Sequence, residues 1–526
     1  MKKHLLLCAL FLLALVSCDP ARRSSASSSD DGLIEIIFLQ LNDVYEISPL
    51  SDNSGGLARV ATLRKELLAK NPNTFTALAG DFISPSVIGT LRYEGKRIRG
   101  KQMVDCLNTL GLDWTVFGNH EFDYDYEDLQ ARIDESNFVW IGANARQVVA
   151  SGSSKQFAQK RPDGSEEKCP DYVITEVKDA DGTTVKIGVF GVLVTTGQKP
   201  FVAYTEPLAE AKRVHTELVG KTDIRIGLTH LDMADDIKLA GMLPDVPLIM
   251  GGHDHDNMFQ RVGKTNVAKG DANARTVYVH TLRHNKKTGV TSVKSELRRI
   301  DGSIQPESAV AAVVAKWEKI KSESLASSGF DAEKTVTVLK EPLDCRETTV
   351  RHTQAPVGQM ILNAMFSVSK TKPECGLVNG GSLRVDDVLS GTLTELDVVR
   401  MLPFGGGIAE VEMRGTLLQR TLDAGLANKG KGGYLHLSRI VRDEAGKRWV
   451  INNAPLEPKK TYRVVIADFL LTGNETGMDF LKTELTADGK GTTNPDVLRL
   501  TKADSKDKSD LRNDVRLALI QFLRKK

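Results

Sequence analysis

The sequence predicts an α/β protein of two domains, and three observations carry that prediction. Short apolar runs recur through the first half of the chain, separated by stretches with helical periodicity. Near Pro306 the pattern becomes continuously helical, and a second strand-and-helix region then runs to the end. Composition is that of globular proteins, with 41% hydrophobic and 26% charged residues, which excludes a collagen-like or disordered polymer. A length of 526 residues admits two or three domains. Lys plus Arg (70) balances Asp plus Glu (68), so the chain has no bulk charge that would seek polymeric nucleic acid or acidic membranes.

The N-terminus reads as an address. Lys2 and Lys3 precede an apolar run over residues 5–16, too short at about 1.5 Å per residue to span about 30 Å of hydrocarbon. Residues 1–17 are therefore expected to be a secretory signal. Leu15-Val16-Ser17-Cys18 resembles a bacterial lipobox, which implies cleavage before Cys18 and lipid on its thiol. Residues 18–32, rich in serine, read as a flexible tether. The first domain is expected over 33–305, a joining helix over 306–329 and the second domain over 330–526. Cys106, Cys169, Cys345 and Cys375 show no C-x-x-C spacing, so zinc fingers and thioredoxin-like chemistry are not expected, and their pairing is left open.

Chemistry enters at the strand ends. Residues 33–41 run into Asn42-Asp43, 74–79 into Gly80-Asp81, and 114–117 into Gly118-Asn119-His120. Residues 224–228 run into Thr229-His230, and 246–250 into Gly251-Gly252-His253-Asp254-His255. In α/β sheets ligands gather beyond the carboxyl ends of the strands. Asp, Asn and Gly often stand there only as turn residues. Histidine is not a usual turn residue, yet four of the ten histidines fall at these points. Carboxylates, imidazoles and an amide carbonyl suit two divalent cations, and a shared carboxylate can bridge ions about 3.5–4 Å apart.

As an ordered set, these strings resemble the calcineurin-like metallophosphatases, and Gly118-Asn119-His120-Glu121-Phe122-Asp123 is similar to their 5′-nucleotidase branch. The resemblance implies a four-layer αββα metallophosphatase domain followed by a smaller C-terminal α/β substrate-binding domain. It implies that Asp81 bridges two divalent metal ions (Mn, Zn, Mg, Co or Ca). Asp43 and His255 would hold the first ion, and Asn119, His230 and His253 the second. His120 would be catalytic, with Asp123 orienting its ring. One position departs from the family, which usually reads Asp-x-His where this chain has Asp43-Val44-Tyr45. Tyr45 as a phenolate ligand, Glu46 or water in its place, and a weak first metal all remain open. Asp232 stands where Gly is common and reads as supporting the ligands or solvent-exposed.

The second half resembles the C-terminal domain of the same family through Val350-Arg351, Asn379-Gly380-Gly381-Ser382-Leu383-Arg384, Leu402-Pro403-Phe404-Gly405 and Asp468-Phe469. The resemblance implies that Arg351 and Arg384 hold phosphate and ribose and that Phe404 and Phe469 stack on a base. Arg346 joins this set with a spacing to Arg351 one residue too long. Glu475, within Asn474-Glu475-Thr476-Gly477, would accept from ribose or base. For an arbitrary Phe the alternative is core packing. The reading is an exported, lipid-anchored, monomeric hydrolase of the cell envelope or periplasm that removes phosphate from nucleoside 5′-monophosphates through a metal-activated hydroxide. The alternatives are a 2′,3′-cyclic phosphodiesterase, a nucleotide-sugar hydrolase or a non-catalytic nucleotide-binding lipoprotein. Its partner is a small-molecule nucleotide, and its membrane contact is through Cys18 alone.

Overall fold

The computed structural model describes residues 30–150, 152–195 and 199–525; the signal and the Cys18 lipidation site lie outside them. Strands β1 (Leu33–Leu41), β2 (Thr74–Leu78), β3 (Trp114–Val116) and β4 (Val139–Ile141) come first, with helices α1 (Leu57–Lys70) and α2 (Lys101–Leu110) between them. Next come β5 (Tyr172–Lys178), β6 (Thr184–Leu193), α3 (Pro207–Leu218), β7 (Ile224–His230) and α4 (Met233–Met242). They are followed by β8 (Leu248–Gly251), β9 (Met258–Val262), β10 (Thr265–Lys269), β11 (Thr276–Asn285) and β12 (Val290–Arg299).

Two six-stranded sheets result, ordered β12-β11-β1-β2-β3-β4 and β5-β6-β7-β8-β10-β9. The strands that carry the site are parallel to their neighbours on the route to it: β1 with β2, β2 with β3, β6 with β7 and β7 with β8. Both sheets are buried on both faces, which explains the continuous apolar runs. Ile36 and Phe38 of β1 and Val116 of β3 meet Ile226 and Leu228 of β7 and Met250 of β8 between the sheets. Outside, Leu57 and Val60 of α1 and Met103 and Leu107 of α2 cover the first sheet. Val214 of α3 and Leu239 of α4 cover the second. The first domain is thus a four-layer αββα stack.

Helix α5 (Ser308–Ser327) connects the domains, its start capped by the Glu307 carboxylate accepting from Val310 N. Trp317 is fully buried in the first core and donates Nε1–H to Asp105 Oδ2 at 3.1 Å, while Leu325 reaches the second core. Beyond it lie α6 (Pro356–Val368), β13 (Cys375–Asn379), β14 (Ile408–Arg414), α7 (Gly415–Ala427), β15 (Leu435–Ser438), β16 (Thr461–Ala467), β17 (Val497–Thr501) and α8 (Val515–Arg524). A five-stranded sheet, β15-β13-β16-β14-β17, carries α6 and α8 against one apolar face and α7 against the other. Leu511–Asn513 form a separate 3₁₀ turn, and Asp514 caps α8 by accepting from Arg516 N.

Cys106, Cys169, Cys345 and Cys375 are buried free thiols, each pushed well above the ordinary thiol range by burial. Among the described residues, no helix is long and apolar enough to cross a membrane. Replacing Trp317 with Ala should cost about 3–5 kcal/mol of stability, because a large cavity opens where α5 docks. Equilibrium denaturation checks this, and a loss below about 1 kcal/mol would contradict the packing role.

Candidate metal centre

Three of the five strand endings present their polar residues from left-handed backbone. Asp43, Asp81, His253 and His255 all adopt positive φ (51°, 54°, 84° and 63°). Such backbone persists in non-glycine residues only where surrounding contacts enforce it, and it gathers at ligand clamps. The clamps are visible here. Asp43 accepts from His253 N at 3.0 Å and from Asn42 Nδ2 at 2.9 Å. Asp81 Oδ1 accepts from His120 N at 2.8 Å. Glycine lets the loops approach closely. A Cβ at Gly118 would fall 2.1 Å from Asp81 Oδ1, and one at Gly252 would fall 2.2 Å from the Ala79 carbonyl oxygen.

Asp81 and Asp43 are wholly buried, and imidazoles surround them. One group is Asp81, His230 and His253; the other is Asp43, Asp81 and His255, and in each the ligand atoms lie within 4.8 Å of one another. Asp81 belongs to both. His230 Nδ1 donates to the Ala79 carbonyl at 2.7 Å, leaving Nε2 between Asp81 Oδ2 and Asn119 Oδ1, each at 3.2 Å. This is the orientation a ligating imidazole needs. Burial opposes charge on Asp81, yet His230 and His120 outweigh it and hold the carboxyl far below its ordinary range. His253 is pushed down to about 4 by burial and the adjacent His230 charge. One carboxylate, three imidazoles and an amide oxygen around one bridging acid form a donor set that fits two divalent cations.

Tyr45 occupies the odd position. Its hydroxyl donates to Asp81 Oδ2 at 3.3 Å and lies 2.9 Å from His255 Nε2. Burial and the charges of Asp81 and Asp43 raise its pKa well above the ordinary value. Glu46 lines the same small cavity as Tyr45, His120, Arg384 and Asp386. Asp232 is exposed but approaches His253 Nε2 to 3.6 Å.

His120 lies beside this centre. Its Nδ1 meets Asp123 Oδ2 at 2.8 Å, and Ser84 Oγ donates to the same carboxylate oxygen. Burial would lower the His120 pKa, but Asp123 and Asp81 raise it above the ordinary imidazole value. Arg384 of the second domain comes within 3.3 Å of His120 Nδ1 and 3.7 Å of Asp123. The Glu347 carboxylate lies between Arg351 and Arg384, in close contact with the first and 3.4 Å from the second. Arg346 is not in this group; it turns outward to Asp344 at 2.7 Å and lines a larger cleft of about 710 Å³ beside His253, His255 and Arg351. Phe404 and Phe469 are 56% and 42% exposed, which excludes core packing for either ring. Glu475 accepts from Asn379 Nδ2 at 2.8 Å. His280 is buried between Gln40 and Ser295.

Several contributors carry no motif role in the sequence reading. Glu121 is buried and accepts from Asp81 N, Phe82 N and Gly118 N at 2.9, 2.8 and 2.7 Å, tying the β2 and β3 loops together. Burial and Asp81 push its carboxyl up to about 7. Asn273 Oδ1 likewise accepts from Tyr45 N and Glu46 N. Glu347 had a sequence signal: it stands four residues before Arg351, the spacing that puts two side chains on one helical face. Asp386 bonds His255 Nδ1 from the second domain, and nothing in its neighbourhood of sequence announces that.

Both domains match known families. The family described as calcineurin-like phosphoesterase matches residues 36–257, and 5′-nucleotidase, C-terminal domain, matches 334–483. The chain belongs to the 5′-nucleotidase family of calcineurin-like phosphoesterases, and is a metal-dependent phosphoric ester hydrolase of the kind that uses two divalent cations. It is 23% identical to the 5′-nucleotidase of Bos taurus, over 86% of this chain and 85% of that protein. It is 25% identical to the snake venom 5′-nucleotidase of Gloydius brevicauda, over 87% and 84%. Among solved structures, the 5′-nucleotidase precursor from Thermus thermophilus shares the fold, with a TM-score of 0.68 and 20% identity over 94% of this chain and 96% of that one.

Replacing Glu121 with Ala removes an acceptor shared by amides of both loops. The expected result is a stability loss of about 3 kcal/mol or more, since buried donors are left unpaired. Thermal and chemical unfolding measure it; a variant as stable as the parent would show that the loops hold without the carboxylate.

Proposed function

We propose that this chain is an exported two-metal phosphohydrolase that releases phosphate from nucleoside 5′-monophosphates. The observation that carries the reading is the Asp81 carboxylate shared by two buried clusters, His230 with His253 and Asp43 with His255. When bound, two divalent cations would stabilise charge on the phosphoryl oxygens and lower the pKa of an attacking water. Asn119, His230 and His253 would hold one ion with Asp81; Asp43, His255 and the Tyr45 oxygen surround the other. His120, kept protonated at Nδ1 by Asp123, offers Nε2 to the leaving oxygen. Arg351 and Arg384 supply guanidinium forks for phosphate oxygens, and phosphate must compete there with the Glu347 carboxylate. The exposed rings of Phe404 and Phe469 suit stacking on a base, worth about 1–3 kcal/mol for each base stacked. Glu475 is available to the ribose or base. Export and attachment through Cys18 rest on the charged start and the lipobox.

Purified protein with AMP and Mn²⁺ should release phosphate, and EDTA should abolish release. Asp81→Asn should lower kcat by about 10³-fold or more, because the shared charge is lost. Activity that survives chelation, or an Asp81→Asn variant within about tenfold of the parent, would defeat the reading.

A further inference from the structure

Four consecutive residues of the second domain, Arg384 to Asp387, reach the first domain at three points. Arg384 approaches His120 and Asp123. Asp387 pairs with Arg275 at 2.8 Å. Between them, Asp386 is held in left-handed backbone at φ 42° and directs its carboxylate at His255 Nδ1. Its other oxygen accepts from Glu347 N at 2.6 Å, which fixes the carboxylate plane from within its own domain. His255 is itself at positive φ and has Nε2 3.4 Å from Asp43 Oδ1. Among the described residues, its Nδ1 meets no other partner.

An imidazole binds a cation through one nitrogen, and the hydrogen bond made by the other sets its tautomer and ring angle. For His230 that bond is supplied inside the first domain, by the Ala79 carbonyl. For His255 it is supplied from the second domain, by a residue 131 positions away in the chain. The two halves of the centre are therefore built differently, one self-contained and one shared.

Resting on the two-cation reading, we propose that Asp386 is a positioning residue for His255. By accepting a hydrogen bond from Nδ1–H it directs Nε2 toward Asp43 and Asp81, so the Asp43/His255 cation position is complete only with the second domain docked. Linkage then requires that a cation at this position and the docked arrangement stabilise one another. The Asn119/His230/His253 position carries no such dependence.

The test uses the full mature chain and Mn²⁺ alone, titrated by isothermal calorimetry, with occupancy counted by elemental analysis after dialysis. The parent should bind two ions. Asp386→Ala should weaken one site by about 10- to 100-fold and leave the other within about twofold, the effect expected for losing the partner of a ligating imidazole. Asp386→Glu should recover part of that loss, which a merely structural role would not give. Small-angle scattering of the parent should show compaction on Mn²⁺ addition, and Asp386→Ala should lose that response. Two unchanged affinities in Asp386→Ala, or equal weakening of both sites, would overturn the proposal while leaving the two-cation reading standing. A parent that binds no second ion would overturn both.

Discussion

A carboxylate with no solvent exposure anchors this structure. Asp81 sits in a left-handed turn, surrounded by imidazoles, with a glycine opposite it where even a methyl group would collide. An isolated buried charge is costly, and it persists only when paired and hydrogen-bonded. The pairing comes from residues brought by four other strand ends, so the two sheets must stack in register before the acid can be tolerated. The polar centre and the apolar interior between the sheets thus depend on one another. Five strands, β1, β2, β3, β7 and β8, deliver donors to the same rim, and the sandwich holds those strand ends together.

The centre is also asymmetric. On one side His230 is fixed by a carbonyl of the first domain, and its nitrogen faces Asp81 and Asn119. On the other, the Tyr45 phenol fills part of the place, and His255 meets Asp386 of the second domain. Charge is dense there: Glu347, Arg384, Asp386 and His255 line one small cavity, and Arg351 pairs with Glu347 from beside it. Under the proposed function, a phosphate entering this space would meet arginines whose charge is already partly answered by the Glu347 carboxylate.

Much of this was legible in the sequence. The strand endings named Asp43, Asp81, Asn119, His230, His253 and His255, because turn-forming residues rarely include histidine and the apolar runs located the strands. The αββα stack followed from the resemblance those endings carry. What was not legible depends on contacts between distant segments. Glu121 acts through backbone amides, and a hydrogen bond to a backbone leaves no trace in the partner's residue type. Asp386 meets His255 only because the second domain docks where it does. Arg346 pairs with Asp344, whereas the helical turn at Glu347–Val350 places Glu347 on the face shared with Arg351, a spacing visible in the sequence.

The most direct measurement is anomalous diffraction from crystals grown with Mn²⁺. Two peaks about 3.5–4 Å apart, one on each side of the Asp81 carboxylate, are expected. One of them should lie against His230 and His253, the other against Asp43 and His255. A single peak, or two that do not share Asp81 as a ligand, would contradict the account at its centre.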